Sequence, residues 1–144
     1  MKKTEIDDIV TGIKEFHKTL SVEELLENMG IELKTIAASS VLLHGGNGVF
    51  VRIEKREIIY LSSSCPDELK NYTIAHELGH AVLHDVELAH CQQLYKSGAL
   101  EDEADYFALR LLDPDWDITE VEGYSSDEVA TMLGVSERCT KYLV

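Results

Sequence analysis

Apolar residues recur at helical spacing from the start of the chain: in residues 4–18, Ile6, Ile9, Val10, Ile13 and Phe16 line one face. Ser21-Val22-Glu23-Glu24 reads as a capping box that opens a short helix stopping at Gly30. Residues 31–38 carry enough apolar character for a strand. The Gly45-Gly46-Asn47-Gly48 stretch fits only a turn or loop. Two β-rich runs, Val49–Ile53 and Glu57–Leu61, then flank Glu54-Lys55-Arg56 as a hairpin.

Beyond the hairpin the period changes to that of helices. Ser63, Ser64 and Pro66 mark the start of a helix running to about His84. A further helical region is expected over Val86–Tyr95, and another over Ala99–Leu112, which Pro114 ends from outside. Asp115–Tyr124 reads as a loop. Ser125-Ser126-Asp127-Glu128 caps a short helix ending at Gly134, and Ser136 caps the last one. The whole predicts one α+β domain over residues 1–144: N-terminal helices (1–30), a small antiparallel sheet (31–62), two chemistry-bearing helices (63–112) and a C-terminal helical tail (125–144).

The helix around residue 76 carries the strongest chemical signal, Thr73-Ile74-Ala75-His76-Glu77-Leu78-Gly79-His80. Residues four apart lie one turn apart on the same face, so His76 and His80 can grip one metal ion. Glu77, about 100° round from His76, stands beside that ion and can act on its water as general base. Ile74, Ala75, Leu78, Ala81 and Val82 cover the opposite face. The pattern HExxH with these roles points to a catalytic Zn2+, which takes three protein ligands and leaves one position open.

The third ligand must come from elsewhere. His84 lies about 12 Å along the helix axis from His76, too far to share the ion. The positions where a longer zinc motif would place Gly and a third His hold Leu83 and Val86. On the next helix, Asp102, Glu103, Tyr106 and Arg110 form a polar outer face. Glu101 and Asp105 fall at the edge of the apolar one. Carboxylates turned toward a core need a cation or a donor. Glu101 is therefore the expected third ligand in preference to Glu103, and Asp105 can hold the outer nitrogen of a ligand histidine. His17, His44 and His90 have no partner at ligand spacing and read as surface or loop residues.

Composition narrows the function further. Thirteen basic residues face twenty-seven acidic ones, a net charge of −14, which disfavours nucleic acid and anionic lipid and suits a basic protein partner. No apolar run approaches the ~20 residues of a membrane span, and the N-terminus lacks the apolar stretch of a signal peptide. A cytoplasmic protein is expected. Cys65, Cys91 and Cys139 form no CxxC pair and read as reduced thiols. The Gly134-Val135-Ser136 turn looks like half of a helix-turn-helix, but the last twenty residues offer only Arg138 and Lys141 as cations, too few for a phosphate-facing surface.

Thr73–His84 followed by Glu101–Pro114 resembles the ImmA/IrrE family of metallopeptidases, zincins of the HExxH-plus-glutamate type. Ile58–Leu61 resembles that family's edge strand and Ser126–Ser136 its C-terminal helical tail, so that the likeness spans about residues 20–140. The resemblance implies a zincin-like fold, with His76, His80 and Glu101 as zinc ligands and Glu77 as general base. It implies an endopeptidase of a phage, mobile element or stress locus that acts on a partner helix-turn-helix repressor. The alternative is a zinc-containing antirepressor or toxin-like partner that binds without cleaving. Asp105 stands where many members have Asn, a feature closer to membrane-associated ExxAD peptidases.

Overall fold

The computed structural model describes residues 1–19, 21–84, 98–115 and 117–143. The expected helix over 86–95, with His90 and Cys91, lies outside them. The first apolar stripe forms α1 (Lys3–His17), which buries Ile6 and Val10. α2 (Val22–Met29) is capped by Ser21, whose hydroxyl accepts the Glu24 N–H at 3.3 Å, and ends at Gly30 in the left-handed region (φ 73°). Strand β1 (Glu32–Ile36) follows, then a 3₁₀ turn at Val41–Leu43, and the hairpin β2 (Gly48–Ile53) and β3 (Arg56–Ser62). Leu33, Phe50 and Ile59 are directed to the helices, with Phe50 and Ile59 fully buried.

The α+β class stands, but the sheet is mixed rather than wholly antiparallel. Its order is β1-β3-β2, with β1 parallel and β2 antiparallel to β3. The hairpin is the only pairing that local turn signals announce; the parallel pairing depends on how the chain between residues 37 and 47 crosses. One consequence is that Ile58–Leu61 lies in the central strand, and β2 is the edge strand on the side of the metal-motif helix.

That helix, α3 (Lys70–Leu83), starts later than expected, after a 3₁₀ turn at Asp67–Leu69. It runs through the centre of the domain, and every residue from Tyr72 to His80 is buried. Beside it packs α4 (Gly98–Leu112), which buries Ala104, Phe107 and Ala108 completely. The close crossing explains Gly79. Glycine costs a helix about 1 kcal/mol relative to alanine, but a Cβ here would lie 3.1 Å from Phe107 Cδ1 and 3.2 Å from Ala104 Cα. Tight approach of α4 is what brings its carboxylates within reach of the α3 histidines.

The expected 115–124 loop contains one helical turn, α5 (Ile118–Val121), capped by Asp117. α6 (Ser126–Leu133) has the full reciprocal capping box of Ser125 and Glu128 and ends at Gly134. The last element is a 3₁₀ helix, Glu137–Tyr142, capped by Ser136. Val135, Cys139 and Leu143 seat this tail in the main core. Among the described residues no helix is long and apolar enough to cross a membrane.

Candidate metal centre

One turn of α3 and the first turn of α4 bring together His76, His80 and Glu101, whose donor atoms all lie within 4.8 Å of one another. His80 Nε2 is 3.1 Å from Glu101 Oε1, and His76 Nε2 is 3.4 Å from Glu101 Oε2. Both histidines thus turn the same ring nitrogen toward the same carboxylate. Glu77 stands at the side: its Oε1 accepts the backbone N–H of Phe50 at 3.0 Å, and its Oε2 is 4.0 Å from His76 Nε2. The bond to edge strand β2 aims this carboxylate along the cleft wall beside the three donors. Gly48 permits the close fit, since a Cβ there would meet Thr73 Cγ2 at 2.7 Å.

The outer nitrogens are held as well. His76 Nδ1 lies 2.9 Å from Asp105 Oδ1, in contact but off the line of a well-directed hydrogen bond, and Asp105 Oδ2 has no partner among the described residues. Burying an ion such as Asp105, 0% exposed, costs several kcal/mol unless partners compensate. Here Tyr72 donates its hydroxyl at 2.5 Å and Arg138 its guanidinium at 3.2 Å. Burial, with the nearby Cys139 and Asp105, drives Tyr72 far above its ordinary pKa, so it remains the donor. Burial likewise pushes the Cys139 thiol up to about 11. Cys139 donates to the Tyr72 oxygen at 3.4 Å, and Cys65 and Cys139 are both free.

Arg138, a tail cation with no local signal of a role at the site, joins it in the structure. It reaches in from the C-terminal 3₁₀ helix and also donates to Glu101 Oε2 at 3.3 Å. Glu103 differs from expectation too. It does lie apart from the three donors, but it is not on a wet outer face: its Oε1 meets His84 Nε2 at 2.8 Å and its Oε2 the Met1 amino group at 2.7 Å. His84 is buried and meets His80 at Nδ1, the ring nitrogen turned away from Glu101. His44 is exposed at φ 47° and lines the cleft mouth.

Two imidazoles and a carboxylate, all at least partly buried, make a donor set that fits a divalent transition metal. The site opens into a cleft of about 710 Å³. Gly48 and Val49 of β2 form one wall, α3 the floor, and Ala130, Gly134 and Glu137 the other wall. A cleft of that size is typical of ligand-binding sites.

Protonation without metal has a definite sign. Burial lowers the His76 pKa, but the Asp105, Glu101 and Glu77 carboxylates outweigh it and push the value up to about 10. Burial raises Glu101, but His76 and His80 overcome it and hold the carboxyl well below the usual carboxylate range. The His76 contribution to stability is fully present below its ordinary 6.5 and is lost as pH rises toward 10. That of Glu101 is present above its ordinary 4.5 and is lost on acidification. In metal-free protein the pair is therefore expected to contribute most between pH 4.5 and 6.5, which thermal melts across pH check. Metal must expel the His76 proton, so metal affinity is expected to rise with pH over the neutral range, with proton release on binding. Calorimetry in buffers of different ionisation enthalpy measures it, and metal uptake without proton release at pH 7 would contradict it.

Residues 27–142 match the family described as the IrrE N-terminal-like domain, a peptidase family. The chain is also 32% identical over 92 residues to the "uncharacterized immunity region protein 2" of Bacillus phage phi105, a match covering 60% of this chain and 58% of that relative.

Proposed function

The chain belongs to the IrrE N-terminal-like domain family of peptidases, and on that premise we propose that it is a zinc-dependent endopeptidase of the cytoplasm, cleaving a helix-turn-helix repressor of a phage, mobile element or stress locus. The family supports a metallopeptidase-type domain. The observation that carries the zinc reading is the spacing of the donors. Ligands on a tetrahedral zinc at 2.0–2.1 Å stand about 3.3 Å apart, and the two histidine–glutamate separations are 3.1 and 3.4 Å.

Zinc held by His76, His80 and Glu101 would supply Lewis acidity, easing deprotonation of a water and drawing charge from a peptide carbonyl. Glu77, aimed by the Phe50 N–H, takes the proton of the attacking water and passes it to the leaving amine. Asp105, Tyr72 and Arg138 fix His76 and Glu101. Substrate lies extended along edge strand β2, whose main chain supplies recognition. The net charge of −14 supports a partner with a basic face, such as the DNA-contacting surface of a repressor.

The name of the phage relative supports an immunity-region setting. Against direct DNA binding, both tail cations are engaged with carboxylates, Arg138 with Glu101 and Asp105 and Lys141 with Asp102 at 2.8 Å. The test is to incubate zinc-loaded protein with any helix-turn-helix repressor found encoded beside its gene and read fragments by mass spectrometry. Discrete cleavage is expected. A stable complex with the repressor left intact would replace the peptidase reading by that of an antirepressor that acts through binding.

A further inference from the structure

His84 and Glu103 form a built pair outside the donor set, and once His80 Nε2 is given to a metal their geometry fixes where the remaining protons sit. His80 turns Nε2 toward Glu101 and Nδ1 toward His84 Nδ1, 2.9 Å away. One hydrogen can lie between those two nitrogens, so one ring donates and the other accepts. His84 Nε2 lies 2.8 Å from Glu103 Oε1. A carboxylate accepts only, so His84 must carry its proton on Nε2 and leave Nδ1 as a bare acceptor. His80 must then carry its own proton on Nδ1. His80 Nε2 faces Glu101 Oε1 at 3.1 Å, so a metal bound there displaces any proton that pair shares, while Nδ1 keeps the one it donates to His84. The opposite arrangement would set His84 Nε2 against the carboxylate with no proton between them and would block His80 Nε2 with one.

Local structure makes this possible. α3 ends at Leu83, and His84 takes an extended backbone (φ −122°, ψ 132°) while its N–H still bonds to the His80 carbonyl at 3.0 Å. The ring is thereby folded back against the one four residues earlier. His80 is 0% and His84 8% exposed, so bulk water does not stand in for either partner.

We propose that His84 and Glu103 are positioning residues that set the tautomer and ring plane of His80 for metal ligation. This rests on the metal reading above and adds that the last histidine of HExxHxxxH is part of the site without touching the ion. Outer partners of ligand histidines are typically worth about 10- to 100-fold in metal affinity.

The test uses the full chain loaded with zinc. Long-range ¹H–¹⁵N spectra should show His84 as the Nε2–H tautomer with an unprotonated Nδ1. An Nδ1–H or doubly protonated His84 would overturn the proposal. Zinc affinity, measured by competition with a chromophoric chelator, should fall about 10- to 100-fold in His84→Leu, which fills the space but accepts nothing. His84→Asn, which places an oxygen near the Nδ1 position, should recover most of it. Equal affinity in wild type and His84→Leu, or equal loss in the Leu and Asn variants, would also overturn it. Failure of wild type to take up zinc is a separate result and would remove the metal centre itself. If a variant fails to fold, the wild-type spectrum still decides.

Discussion

Glu77→Gln is expected to retain one equivalent of zinc and to cleave its protein substrate about 10²- to 10⁴-fold more slowly, the usual scale for loss of a positioned general base. The substitution is chosen for what it leaves alone. Glutamine has the same shape, and its amide oxygen can still accept the Phe50 N–H that now reaches Glu77 Oε1 at 3.0 Å. The contact between α3 and β2, the fold and the three donors should all persist. What disappears is a group able to hold a proton between water and leaving amine. Metal content by elemental analysis and cleavage rate on one preparation separate the two roles. A variant that keeps its zinc and cleaves at the wild-type rate would end the proposed mechanism, whatever the substrate proves to be.

How much of this was legible beforehand follows from how local each feature is. His76, Glu77 and His80 lie within one and a half turns of a single helix, so helical periodicity alone sets their mutual placement. Glu101 was separable from Glu103 for the same reason, two residues apart being about 200° apart. A helical wheel, however, treats every apolar-free direction as solvent. The side of α4 occupied by Glu103 meets the end of α3 and the first residue of the chain, so an outer position became an engaged one. Arg138 gave no local signal. It reaches Glu101 and Asp105 from 37 and 33 residues away, carried by a 3₁₀ turn whose seat is set by burial of Val135 and Cys139. Tyr72 was similarly masked: one more aromatic on a buried helix, distinguished only by where its hydroxyl ends. The parallel pairing of β1 with β3 depends on a crossover that no turn signal specifies.

The placement of Glu101 against Glu103 leads to the second large effect. Glu101→Ala removes one of three donors and the only anion among them, and leaves Arg138 with Asp105 alone. Two histidines then hold a dication with no anionic ligand, since Glu77 and Asp105 stand only beside His76. Zinc after dialysis is expected to fall from one equivalent to a small fraction, and proteolysis with it. Glu103→Ala deletes no donor. Through His84 it should weaken zinc by no more than about 100-fold, roughly 2.7 kcal/mol. Against the 10–16 kcal/mol typical of structural protein zinc sites, that loss leaves the ion in place during purification. Elemental analysis of the two variants therefore gives opposite results from glutamates two residues apart on one helix. Full zinc in Glu101→Ala together with loss in Glu103→Ala would move the ligand to the His84 side of α4. The donor cluster would then be an apo arrangement of hydrogen bonds, and Glu77 would stand beside the wrong group.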